Sequence, residues 1–340
     1  MRTLFLAVIL FPISNSMLAQ SALPADQADL ERARNLLHHG QPEQAIAILK
    51  TLATINPPIM GVEHELGTAY YGAGELSEAK VAFAKAIEQD ASDQDSVQME
   101  GLVLYRLRQP DAAIPYLERV VHGTTDANAD AQTVLGQCFV SMKRYDDARI
   151  TYARLFNEPP DSGHAYLLLA TILRHMDPSE PAAILAQKAL DISPGLPQAH
   201  LMLGEIALEK SDFEEAARQF EDELRINPDY APTYEFLGDA YMRMDKLPEA
   251  QKALTKAITL DATLSGALLK MGMVLLRRLD LQTAIMYLRH AEQLDPDNFK
   301  THVFLAQAYH RIGYEVGAKL EDSIVNQIHH DRQIHLETEK

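Results

Sequence analysis

One cysteine occurs in 340 residues. A lone thiol cannot close an internal disulfide, so Cys138 is expected to be a packed, inert side chain. No Ser/Gly-rich or Pro-rich tract interrupts the chain, so nothing marks a linker to a second, unlike domain. After the N-terminus no apolar run approaches the roughly twenty residues that a spanning helix needs. Basic residues are in deficit: 31 Lys and Arg stand against 48 Asp and Glu, a formal net charge of −17. That balance excludes nucleic acid or anionic lipid as a partner of the general surface.

Catalytic patterns are lacking too. A zinc protease needs two His one turn apart with a Glu between them. His64-Glu65-Leu66-Gly67-Thr68 has Thr68 in place of the second His. Gly72-Ala73-Gly74-Glu75-Leu76-Ser77 lacks the Gly-Lys-Ser/Thr ending of a phosphate loop, and Gly74 is explained by a left-handed turn between helices. Asp295-Pro296-Asp297-Asn298 lacks calcium-loop spacing and a closing Glu. His38-His39 suits a helix C-terminus, while His329, His330 and His335 lie in the terminal helix or tail, where any metal binding would be adventitious. The reading is therefore non-catalytic, with no cofactor and no resident metal.

What is present is a period. Alanine recurs at Ala45, Ala79, Ala113, Ala148, Ala182, Ala216, Ala250, Ala284 and Ala318. The step is 34 residues, with a single step of 35. Twelve residues ahead runs a second small register: Ala33, Gly67, Gly101, Gly136, Ala170, Gly204, Gly238, Gly272 and Ala306. Small residues at two fixed points imply two helices crossing closely. A large residue three places after most of these, such as Tyr70, Leu104, Phe139, Tyr241 and Leu275, is at helical spacing. Pro57, Pro160, Pro194, Pro228 and Pro296 close many of the windows, as proline ends a helix. A fixed period of this size means stacked copies of one supersecondary element.

The pattern resembles the tetratricopeptide repeat, a helix–turn–helix of 34 residues. Tyr234–Asp261 carries its aromatic, Leu-Gly, Tyr and Ala positions in register. The resemblance implies an all-α, right-handed α-solenoid. Repeats are expected at 26–59 (a weak first copy), 60–93, 94–128, 129–162, 163–196, 197–230, 231–264 and 265–298, then a degenerate ninth copy or capping helices at 299–328 and a polar tail at 329–340. The extra residue falls within His122–Asn128. In the ninth copy Asp322 stands where an apolar residue belongs, and Val316, Leu320, Ile324 and Ile328 form a narrow apolar stripe expected to cap the open end.

The N-terminus reads as a secretory signal peptide over 1–19: Arg2, then apolar Leu4–Ile13, then a small-to-polar stretch ending at Ala19. The expectation is an exported protein, periplasmic or secreted.

In the resembled family the first helix of each repeat lines a concave groove, chiefly through window positions 2, 5, 9, 12 and 13, and the partner is an extended peptide or a helix. Carried over, those positions make Tyr71, Tyr105, Arg106, Arg174, Glu205, Asp239, Arg243, Arg277 and Arg311 the candidate partner-binding residues. The arginines read as a discontinuous basic ladder, interrupted by an acidic patch of Glu205, Glu209, Glu235 and Asp239. Arginine suits carboxylates and tyrosine is a common interface anchor. No repeat has the Lys and Asn pair at positions 5 and 9 by which some co-chaperones clamp a terminal carboxylate. The function expected is a protein-binding scaffold of a cell-envelope or secretion assembly. Its alternative is an accessory subunit that positions a substrate chain for an envelope enzyme or for polysaccharide or pilus machinery.

Overall fold

A computed structural model describes residues 25–123, 129–175 and 179–338. The expected signal peptide, residues 124–128, residues 176–178 and the last two residues lie outside the described residues. Those described form eighteen helices and no strand. No helix among them is long and apolar enough to cross a membrane.

The chain divides into two compact units at Cys138/Phe139. The first holds α1 (Ala25–His38), α2 (Pro42–Leu52), α3 (Val62–Ala73), α4 (Leu76–Gln89), α5 (Gln94–Arg106), α6 (Pro110–Gly123) and most of α7 (Ala129–Ser141). The second holds α8 (Tyr145–Leu155), α9 (Gly163–His175), α10 (Ser179–Ile192), α11 (Ala199–Glu209), α12 (Phe213–Ile226), α13 (Ala231–Arg243), α14 (Leu247–Leu260), α15 (Ser265–Arg277), α16 (Leu281–Leu294), α17 (Phe299–Ile312) and α18 (Glu315–Thr338). Each unit is a helical-repeat solenoid in which a helix packs on its partner and on the next pair. Odd-numbered helices also touch one another, as in α1·α3, α3·α5, α11·α13, α13·α15 and α15·α17. Within each unit they form one layer, and the even-numbered helices form the other.

The two small registers do different work. Every alanine of the first register is fully buried. Five glycines of the second, Gly67, Gly101, Gly204, Gly238 and Gly272, each face one large side chain sixteen residues on. A Cβ on Gly67 would lie 2.7 Å from Phe83, on Gly101 2.8 Å from Leu117, on Gly238 2.6 Å from Leu254 and on Gly272 2.5 Å from Leu288. Phe83, Leu117, Leu254 and Leu288 are themselves fully buried. Burying such side chains is worth about 1.5–3 kcal/mol each. The glycine thus lets the second helix approach closely enough to lay its largest residue on the first helix's backbone.

The turn inside the pair is equally regular wherever it is described. Gly40, Gly74, Arg108, Lys143, Ser211, Asp245, Leu279 and Gly313 all have positive φ, between 57° and 79°. The next amide reaches back five residues, as in Glu75 N to Tyr70 O (2.8 Å), Lys246 N to Tyr241 O (2.9 Å) and Asp280 N to Leu275 O (3.0 Å). This ending satisfies carbonyls that the helix leaves unpaired. The second helix then starts on a side-chain cap in places: Asp212 accepts from Glu215 N, and Asp280 from Thr283 N.

Two expectations at the C-terminal end are corrected. The apolar stripe is only partly covered: Val316 is 73% and Leu320 61% exposed, while Ile324 and Ile328 are half-buried. The helix α18 packs inward through Gly317, Ala318 and Glu321. It also runs on to Thr338, so residues 329–338 are helix rather than a separate tail. Asp322 finds a polar partner, with His310 Nε2 2.9 Å from Oδ2.

Candidate protein-binding face

The sequence-derived candidates lie on odd-numbered helices, most of them in the last turn. There the C-terminal carbonyls of each helix gather partial negative charge, which favours a cation. The structure sorts these residues into separate groups.

In the first unit, the Arg106 guanidinium stacks over the Tyr71 ring, 4.7 Å from its centroid. Tyr105 is half-buried beside Arg106 in α5. In the second unit, Arg174 on α9 pairs with Glu205 (2.5 Å) and Glu209 (3.0 Å), both on α11. Burial pushes the Glu205 carboxyl upward, Arg174 pulls it down and Glu209 raises it again. Arg243 pairs with Asp239 one turn back (3.1 Å) and lies over the Phe213 ring. Glu235 pairs with Lys270 of α15 (2.5 Å). The expected acidic patch is therefore not a free acidic surface. Glu205, Glu209, Glu235 and Asp239 each meet a cation, and two of the three cations, Arg174 and Arg243, are ladder arginines. The sequence did not reveal this, because the partners sit a repeat apart or in another window position.

Arg277 and Arg311 behave differently. Arg277 Nη1 donates to Met242 O (2.9 Å), and Arg311 Nη1 donates to Leu276 O (3.0 Å). Each arginine thus caps the odd-numbered helix of the preceding repeat through one nitrogen. Among the described residues neither meets a carboxylate. Both line a recess of about 140 Å³ between α15 and α17, completed by Met273, Leu276, Phe304 and Gln307. Leu276 is buried, Met273 and Phe304 are half-buried and Gln307 is exposed. An apolar floor, one amide and two guanidinium groups suit an acidic group next to an apolar one. Phe304 escaped sequence reading, since it holds window position 6, outside the positions carried over from the family.

Cys138 is fully buried, and burial pushes its thiol up to about 12. A thiol so disposed is not a nucleophile at neutral pH.

Three family models, each described as tetratricopeptide repeat, match residues 104–172, 182–231 and 231–264. No curated protein matches the chain. Among solved structures, the chain is similar to one described as the crystal structure of the APC/C hetero-tetramer Cut9-Hcn1, at 18% identity and a TM-score of 0.45. That alignment covers 84% of this chain and 56% of the other, so this chain spans little more than half of its length. A likeness at that level says nothing of this chain's own partners.

Proposed function

Because the chain is a tetratricopeptide-repeat protein, we propose that it acts as a non-catalytic scaffold which holds a partner peptide or helix on the layer of odd-numbered helices. Support comes above all from the recess at Arg277 and Arg311. It is the place on that layer where two cations lack carboxylate partners among the described residues, beside an apolar floor. Each guanidinium is oriented by a backbone carbonyl, so less side-chain freedom is lost on binding. The partner segment this favours carries Asp, Glu or a terminal carboxylate next to an aliphatic or aromatic residue. Tyr71, Tyr105 and Arg106 offer a second, aromatic contact in the first unit.

We further propose that the protein is exported, periplasmic or secreted, and serves within an envelope or secretion assembly. The short apolar stretch Leu4–Ile13 after Arg2, and Ala19 behind it, support this.

Display of random peptides on the immobilised chain tests the binding reading. Enriched sequences should pair an acidic group with an apolar neighbour. Binding should weaken with salt and be lost in Arg277→Gln/Arg311→Gln. No enrichment, or equal enrichment on the double variant, would refute the recess as the binding site.

A further inference from the structure

Apart from that recess, three helices of the last two repeats bring together an imidazole and two carboxylates. His302 lies in the first turn of α17 and is 2% exposed; Glu321 lies in the second turn of α18 and is 4% exposed. Glu292, in the last turn of α16, is half-buried. One ring nitrogen of His302 and one oxygen from each glutamate all lie within 4.8 Å of one another.

The hydrogen bonding of His302 restricts what can occupy this place. Its Nε2 is 2.7 Å from Pro296 O. A carbonyl only accepts, so Nε2 carries hydrogen and donates. In a neutral ring the lone pair then sits on Nδ1. Nδ1 is 2.7 Å from Glu321 Oε2. Two lone pairs do not face each other at that distance, so a positive species belongs between them. A proton is one such species. It leaves the cluster with an imidazolium against two carboxylates, a net charge of −1 beside two side chains removed from water, which is costly. A divalent cation with a neutral imidazole makes the sum zero.

We propose that His302 Nδ1, Glu321 and Glu292 form a binding site for a divalent transition-metal ion of the zinc class. Nitrogen and oxygen donors in threes, with a fourth position left to water, match zinc, and imidazole favours such ions over magnesium or calcium. The Nε2 bond to the Pro296 carbonyl is the outer contact that orients a metal-binding histidine. Ligand atoms about 2.0–2.2 Å from a tetrahedral centre stand about 3.3–3.5 Å apart. The His302–Glu321 pair therefore opens by less than about 1 Å to admit the ion, while Glu292 closes in. Binding exchanges the Nδ1 proton for the metal and releases it to solvent, so affinity falls in acid. The bound ion would tie α16, α17 and α18 together. This site is independent of the recess at Arg277 and Arg311.

Glu292 provides the discriminating variant. It has no hydrogen bond or ion pair with any other described residue and acts on His302 only through charge, so Glu292→Gln should keep the helical fold in chelator, read by circular dichroism. The full chain, stripped with chelator, is titrated with zinc chloride by calorimetry and melted with and without zinc. The expected result is one tightly bound ion, a zinc-dependent rise in melting temperature and proton release that depends on pH. Glu292→Gln and His302→Gln should each weaken binding by at least about tenfold, with loss of the thermal shift. His329→Asn/His330→Asn, a control for adventitious binding on α18, should keep both. Absence of zinc binding would overturn the site. So would binding that survives Glu292→Gln unchanged, or binding lost only in the His329/His330 variant.

Discussion

Gly204 of α11 lies under the ring of Phe220 of α12, so close that a Cβ on Gly204 would stand 2.4 Å from Cε1. Phe220 is fully buried. The same sixteen-residue relationship holds at Gly67, Gly101, Gly238 and Gly272. In the fifth repeat the two positions are Ala170 and Ala186, both fully buried. There a small second-helix residue accompanies the Cβ on the first, whereas the first repeat sets Ala33 against Leu49, both also fully buried.

Gly204→Ala should therefore destabilise, even though alanine is the better helix former. Overpacking costs about 1–3 kcal/mol, against about 1 kcal/mol of helix propensity gained. Phe220→Ala alone should cost about 3–5 kcal/mol. The double variant should cost less than the sum, since the added methyl then has room. A double-mutant cycle by chemical denaturation measures this coupling. Additive losses would show that the two side chains are not in conflict.

Leu279 adopts φ 63° at the turn between α15 and α16 and is 74% exposed. A left-handed conformation costs a branched residue about 1–2 kcal/mol, and glycine adopts it without that strain. Leu279→Gly should stabilise by about 0.5–1 kcal/mol, less than the strain because glycine loses more freedom on folding. A thermal melt reads the effect. A lower melting temperature would mean that the side chain contributes packing.

Glu100 occupies a leucine position of the pattern, is 2% exposed, and its Oε2 has no hydrogen-bond partner. Burial pushes its carboxyl from 4.5 up to about 7, with Lys80 pulling the other way. The folded state then holds this proton more tightly than the unfolded chain does. The contribution is fully present below about 4.5 and is lost as pH rises through about 7. The loss is about 3 kcal/mol. Glu100→Gln should flatten stability across that window. Urea titrations at a series of pH values decide it, and an unchanged slope in the variant would count against the assignment.

Arg277→Ser and Arg311→Ser should each lower stability by about 0.5–1.5 kcal/mol, because each removes a bond to the end of the preceding helix. Sequence position alone would attribute to them only the helix-dipole term. Circular dichroism melts at two salt concentrations separate these: a hydrogen-bond loss persists in salt, whereas a dipole effect fades.

Sequencing the N-terminus of the native protein should find a first residue near Gln20, as cleavage after Ala19 requires. An intact Met1 on a cytoplasmic protein would remove the case for export.

The helix pairs were legible in the sequence because a 34-residue register repeats the same physical demand many times. Alanine where helices meet, glycine beneath a large residue and proline after the second helix each arise from local sterics, and stacking repeats them. The left-handed turn was legible only where glycine stands, as at Gly74. Arg108, Lys143 and Leu279 take the same conformation without announcing it, since the surrounding helix ends impose it.

The candidate face was legible only as a set of positions. Composition and spacing determined that arginines and acids would gather on the first helices. Only tertiary structure decided which of them meet. Arg174, Arg243 and Lys270 meet carboxylates, while Arg277 and Arg311 meet carbonyls a repeat away. The convergence of Glu292, His302 and Glu321 likewise had no signature in the pattern. A register records what every repeat shares. A charge pair depends on the side chains of two particular neighbours, and those vary from one repeat to the next.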